Sequence, residues 1–190
     1  MLQTPRALLV AAVAIAIVSA CDDPTGIRPS SNNLETELQV YAMNGTPIAL
    51  PAAVAVRSGR AVRIDAAFRF DLAFDINASG LVQVFAQRLV ASELAATHRV
   101  GLQTRLATFD EVTRAPTSGY VYDSLLTLGP GQLVLVDVLD ASCSGSFLGT
   151  NVRAKLRVDS VNTSTRSIFL HVLVNPNCGF RSLVQGTPKD

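Results

Sequence analysis

A mainly β domain, built as an antiparallel sandwich or barrel, is the fold that this 190-residue sequence predicts. Three observations carry the expectation. Over sixteen consecutive residues, Val62, Ile64, Ala66, Phe68, Phe70, Leu72, Phe74 and Ile76 alternate with Ala61, Arg63, Asp65, Ala67, Arg69, Asp71, Ala73 and Asp75. A helix would scatter the first set around its circumference, whereas a strand gathers it on one face. Elsewhere, β-branched runs are separated by turn residues such as Asn77-Ala78-Ser79-Gly80, Gly129-Pro130-Gly131 and Asn162-Thr163-Ser164-Thr165, the pattern of hairpin-connected strands. Only Ala91 to Thr97 and Phe109 to Arg114 could hold a helical turn.

In chain order the predicted strands lie near 36–43, 52–57, 61–77, 81–90, 99–105, 119–128, 132–140, 151–161 and 166–175. The first stops at Asn44-Gly45, a turn signal. The third would exceed about 50 Å at ~3.3 Å per residue, so a bulge or bend should divide it. Along it Phe68, Phe70, Leu72 and Phe74 are expected to face the core. Arg63, Asp65, Arg69, Asp71 and Asp75 should form a ladder of alternating charge on the solvated face, making cross-strand pairs. Ala115-Pro116-Thr117-Ser118-Gly119 is a candidate sub-boundary. Neither flanking part is large enough to bury much apolar surface alone, so 35–185 is read as one β-rich domain with 186–190 as its tail.

The N-terminus carries a different signal. Arg6 precedes an unbroken apolar run of twelve, Ala7 to Val18. Such a run spans roughly 18 Å as a helix, against ~30 Å of bilayer hydrocarbon, and therefore reads as a signal-peptide core. It closes on Val18-Ser19-Ala20-Cys21, which resembles the lipobox of bacterial lipoproteins: an aliphatic residue and two small ones before an obligatory Cys. The resemblance covers residues 1–21. It implies a diacylglyceryl group on the Cys21 sulfur, cleavage between Ala20 and Cys21, removal of 1–20, and acylation of the new amine. Two or three acyl chains, at ~0.8 kcal/mol per buried methylene, make a durable anchor. Asp22 directly after the Cys is similar to an inner-membrane retention signal of some enteric bacteria; the rule varies between lineages and leaves inner or outer membrane open. The implied location is the cell envelope, facing the periplasm or the exterior.

Residues 22–34 hold two Pro, one Gly, two Asn and only two large apolar residues. They are expected to form, with Cys21, a flexible tether of ~20 Å root-mean-square reach.

Composition narrows the partners. Sixteen Lys+Arg oppose fifteen Asp+Glu, and loss of Arg6 leaves the two balanced. That excludes tight polyanion binding, which needs clustered cations, so no nucleic-acid partner is expected. At 48% hydrophobic residues the chain also lies outside the disordered class.

With Cys21 assigned to lipid, Cys143 and Cys178 remain. An even pair outside the cytosol is expected to oxidise to a disulfide. No C-x-x-C pair is present and no cationic neighbour in sequence flanks either Cys, so a structural bond is the expectation.

No catalytic residue, metal or cofactor is assigned. His98 and His171 are far apart, no H-E-x-x-H exists and no Ser sits in a G-x-S-x-G elbow. Asp75-Ile76-Asn77-Ala78-Ser79-Gly80 matches the first half of an EF-hand loop, but Ala86 occupies the position of the bidentate Glu. Gly129-Pro130-Gly131 lacks the third Gly and the helix of a dinucleotide loop. The sequons at Asn44, Asn77 and Asn162 are read as turn chemistry.

The functional expectation is a non-catalytic binding or assembly module of the envelope. Its partners would be the bilayer, through Cys21, and an envelope protein or small-molecule ligand. The alternatives are a carrier of a small apolar or sugar ligand and a hydrolase. A deep pocket with convergent polar groups would favour these, and a flat edge strand an assembly partner.

Overall fold

The computed structural model describes residues 26–65, 69–91 and 98–189. Among the described residues, eleven strands make up two antiparallel sheets: β1 Leu34–Tyr41, β2 Ala53–Ala55, β3 Arg60–Val62, β4 Leu72–Ile76, β5 Val82–Ala86, β6 Arg99–Arg105, β7 Val121–Tyr122, β8 Leu125–Leu128, β9 Leu133–Leu139, β10 Asn151–Asn162 and β11 Ser167–Asn175. The first sheet runs β1-β11-β10-β9-β6-β7 and the second β3-β2-β4-β5-β8. They face one another as a sandwich and do not close into a barrel. The shared core includes Val40, Val54, Leu72, Phe74, Val84, Leu102, Val136, Leu156, Leu170 and Val172.

The long alternating segment is divided, and the sheet order explains where. β3 and β4 pair with opposite edges of β2, both antiparallel to it, so the chain must cross over β2 between them. The inner face of β2 is filled by the facing sheet. The described flanks of the crossover lie on the outer face, where Val62, Ile64 and Phe70 pack on Ala53 and Ala73. Two alanines leave the room that larger side chains would fill.

This corrects two expectations. Phe70 is buried, 2% exposed, but against the outer face of β4 and apart from Leu72 and Phe74. Asp71 and Asp75, expected in solvent, are 9% and 5% exposed, because the crossover and the neighbouring turns cover this face as well. Phe68 and Ala66 fall outside the described residues.

The predicted strand 119–128 is also two strands. At Asp123, with φ 52°, the chain leaves the first sheet after β7 and joins the second as β8. This closes one side of the sandwich. Segments 52–57 and 81–90 end early in 3-10 turns at Val56–Ser58 and Gln87–Leu89. Phe109 to Arg114 forms a turn and not a helix, and 92–97 lie outside the described residues.

Strands from both sides of 115–119 interleave in the first sheet, and β8 from beyond it pairs with β5 in the second. The outer face of the first sheet is covered by Phe109, Val112, Ala115 and Leu183 packing on Leu133, Leu135 and Leu173. Part of the expected tether is docked: the Asn177 side chain accepts from the amides of Ser30 and Ser31, and Asn33 donates to the carbonyls of Ser182 and Val184. The tail is held likewise, with Gly186 accepting from the Asn33 amide at 2.7 Å. Composition missed this because the ordering contacts are polar.

Candidate functional site

The first candidate surface is the free edge of β1. Backbone groups of successive strand residues point alternately to either side in the sheet plane. Ala42 donates to Arg166 on the β11 side, while Tyr41 donates to Pro51 on the opposite side. By that alternation Leu34, Thr36, Leu38 and Val40 pair with β11, and Glu35, Glu37 and Gln39 turn their N–H and C=O groups outward. The edge is capped at both ends, by Pro51 on Tyr41 and by Gly186 on Asn33. Between the caps lies an open ladder about 16 Å long at ~3.3 Å per residue. Leu38 and Val40 are anchored in the core, whereas Glu37 and Gln39 are exposed.

Two open hollows adjoin each other on the segments that cover the first sheet. One, of about 410 Å³, is lined by residues including Thr113, Arg114, Ser182 and Lys189. The other, of about 640 Å³, lies between Thr104–Ala107 and Glu111–Arg114. Thr108 donates to the Glu111 carboxylate through its amide at 2.7 Å and its hydroxyl at 2.9 Å, which holds that carboxyl below its usual range.

Buried polar groups on the outer face of the first sheet are mostly committed to one another. Lys155 is 3% exposed, donates to the carbonyls of Phe109 and Val112 at 2.6 and 3.0 Å, and lies 4.1 Å from the Phe109 ring centre. Desolvation pulls its ammonium below the ordinary lysine range. These contacts pin the 109–112 turn to β10. His171 stacks on Phe109 at 4.3 Å, meets Glu35 through Nε2 at 2.8 Å, and accepts from Arg157 at Nδ1.

Asp137, 2% exposed, receives the Tyr122 hydroxyl at 2.5 Å and the Asn151 amide, and pairs with Arg153 at 3.0 Å. Desolvation first, then the Asp137 carboxylate, pushes the Tyr122 phenol up to about 12. Burial pushes Tyr120 up further. Arg153 continues to the Gly179 carbonyl, so this network ties β9, β10 and the 176–180 segment together.

The remaining candidates are placed as follows. Cys143 and Cys178 are bonded, with Cα atoms 5.5 Å apart. A cation does stand beside them in space: Arg57 reaches the two sulfurs at 3.8 and 3.9 Å while paired with Asp140 at 2.9 Å. Sequence neighbours could not reveal it, since Arg57 is 86 residues from Cys143. His98 pairs with Asp71 at 2.7 Å, and that bond raises the imidazole above its ordinary pKa despite partial burial. Asp75, first residue of the EF-hand-like segment, is paired with Arg166 and Asn44, and Asn77 accepts from the amides of Ser79 and Leu81 to form the turn. Cys21 lies outside the described residues. No cluster of three His, Cys, Asp or Glu suited to a metal occurs among the described residues. None of their helices is long and apolar enough to cross a membrane.

Comparison with protein-family models, curated proteins and solved structures returned no match for this chain.

Proposed function

We propose that the chain is a bacterial cell-envelope lipoprotein, anchored through acylated Cys21, whose sandwich is a non-catalytic assembly module. In this reading it receives one strand of an envelope protein on the free edge of β1. The observation that carries the reading is the open ladder at Glu35, Glu37 and Gln39 between two capped ends. Strand addition draws affinity from main-chain hydrogen bonds and specificity from alternate side chains. The partner strand would need about five residues, with basic or amide side chains opposite Glu35 and Glu37.

The second reading, a carrier of a small ligand, has the 640 Å³ hollow in its favour, a volume within the usual ligand range of about 300–1,000 Å³. Its wide mouth and mixed lining support it less well than the edge supports assembly.

Glu37→Pro separates the two. Proline is tolerated on an edge strand where its missing N–H would face outward. A photo-crosslinking side chain at Gln39 in the anchored protein should give one discrete protein adduct, and Glu37→Pro should abolish it with thermal stability retained. An adduct that survives Glu37→Pro, or none at all, refutes assembly through β1. Cys21→Ser should accumulate unprocessed precursor and abolish detergent-phase partitioning; a processed, membrane-bound mutant refutes the anchor.

A further inference from the structure

The anchor reading leaves open how the domain stands on its membrane, and the geometry points to one end of the sandwich as a lipid-contacting foot centred on Phe147. The proposal rests on that reading.

The first fixed point after Cys21 is Ser30, whose amide is bonded to Asn177 at 2.8 Å. Nine residue steps separate Cys21 from Ser30, a span of at most about 32 Å for any conformation of the chain. Asn177 adjoins Cys178, which is bonded to Cys143. The Cys178 carbonyl accepts from Ser146 at 3.2 Å, and the next residue is Phe147, 96% exposed. Chain exit and exposed ring are therefore carried by one covalently tied patch, well within the span of the tether.

At 96% exposure the phenyl ring keeps nearly all of its apolar surface in water, surface that entry into a lipid interface would remove. The loop around it is held firmly. Leu148 lies close against Gly179, and Asp140 caps the 3-10 turn Ala141–Cys143 by accepting from the Ser142 amide.

Charge around the ring fits phospholipid headgroups. Arg28, two residues before Ser30, is exposed, as are Arg57 and Arg60 at the same end. Asp140 is paired there with Arg57, and Glu35, next to Leu34, with His171. Leu34, 41% exposed, rests over Gly59 beside them. An exposed apolar ring with arginines at the same end of the domain is an arrangement that partitions into an anionic interface.

The chain has no tryptophan, so Phe147→Trp introduces a single reporter at an exposed position. Ile48→Trp provides the comparison, being 67% exposed in the 42–52 loop at the opposite end. Each full-length variant is produced with its own leader and checked for acyl chains by intact mass. It is then reconstituted into vesicles of phosphatidylcholine and phosphatidylglycerol with and without brominated acyl chains. Indole emission from the Phe147→Trp protein should be quenched roughly two-fold or more by the brominated lipid and shifted to the blue, with emission from the Ile48→Trp protein unaffected. Equal, weak quenching of the two variants in acylated, vesicle-bound protein overturns the foot and leaves the anchor standing. Protein without acyl chains overturns the anchor and the foot with it.

Discussion

Asp71→Ala is the substitution on which the fold stands most directly at risk. An alternating strand would place Asp71 in water, where its loss costs little. In the structure it ends the crossover beneath the 3-10 turn Val56–Ser58, where one carboxylate oxygen accepts from the Val56 amide at 2.5 Å and the other meets His98 at 2.7 Å. A hydrogen bond to a buried charged acceptor is worth about 1.5–3 kcal/mol, much of it the cost of stranding the donor. The pair with His98 is partly exposed and adds about 0–1 kcal/mol. Loss of roughly 2–4 kcal/mol is therefore expected from urea unfolding followed by far-UV circular dichroism, with an unchanged m-value. Asp71→Asn keeps an acceptor for Val56 and should fall between. Asp159→Ala, at an exposed position paired only with its neighbour Arg157, should stay within about 0.5 kcal/mol. If Asp71→Ala is as mild as Asp159→Ala, the crossover over β2 is wrong.

Three further outcomes are expected. His98 is raised by its bond to Asp71, so the folded state holds the proton more tightly. The stabilisation is complete below the unfolded pKa of about 6.5 and is lost as pH rises through the folded value, so His98→Gln should destabilise clearly at pH ~5.5 and little at pH ~9; an equal loss at both would refute the pairing. Cys143→Ala/Cys178→Ala should lose roughly 2–5 kcal/mol, and non-reducing peptide mapping of the parent should recover the linked peptides; two free thiols in protein isolated without reductant would contradict the bond. Gly179→Ala, at φ 83° where an added Cβ would lie only 2.4 Å from the Leu148 backbone, should cost at least about 2 kcal/mol, whereas Gly131→Ala, at φ 81° with open space around it, should cost about 1 kcal/mol; thermal melts of the pair would reveal any inversion.

What the sequence disclosed follows a physical division. Strands 99–105 and 166–175 are found within a residue of prediction, because their alternation and bounding turns act locally. The failures arose where distant segments decide the environment. Asp71 and Asp75 lie on the polar side of a regular alternation, and only the crossover above them and Arg166 beside Asp75 make that side an interior. The switch at Asp123 is hidden because both halves of 119–128 alternate acceptably. Lys155 reads as solvent-facing by period, yet the 109–112 turn covers it and receives its protons. Cys143 and Cys178 were legible as a pair, because reading Cys21 as lipidated and the chain as exported leaves two Cys expected to oxidise. Arg57 beside them was not, for nothing local links it to either.

The two sides of the sandwich differ in a way that bears on how such a module could work. On one side β7 and β8 are consecutive segments, and the turn at Asp123, held by Arg88 and Arg99 at 3.1 and 3.3 Å, carries the chain from sheet to sheet. An added strand there would meet edges only two and four residues long. On the other side β1 offers eight residues, opposed by a β3 of only three. Exposed edges invite indiscriminate pairing unless charges guard them, and Glu35 and Glu37 place carboxylates beside the open ladder. These would repel a second copy of the same edge, where like charges face one another, and favour a strand bearing cations. β1 begins at Leu34, beside the chain exit, and ends at Tyr41 at the far end. With Cys21 anchored and Phe147 toward the lipid, the ladder would run up the side of the domain, where an incoming strand could pair with it without displacing the foot.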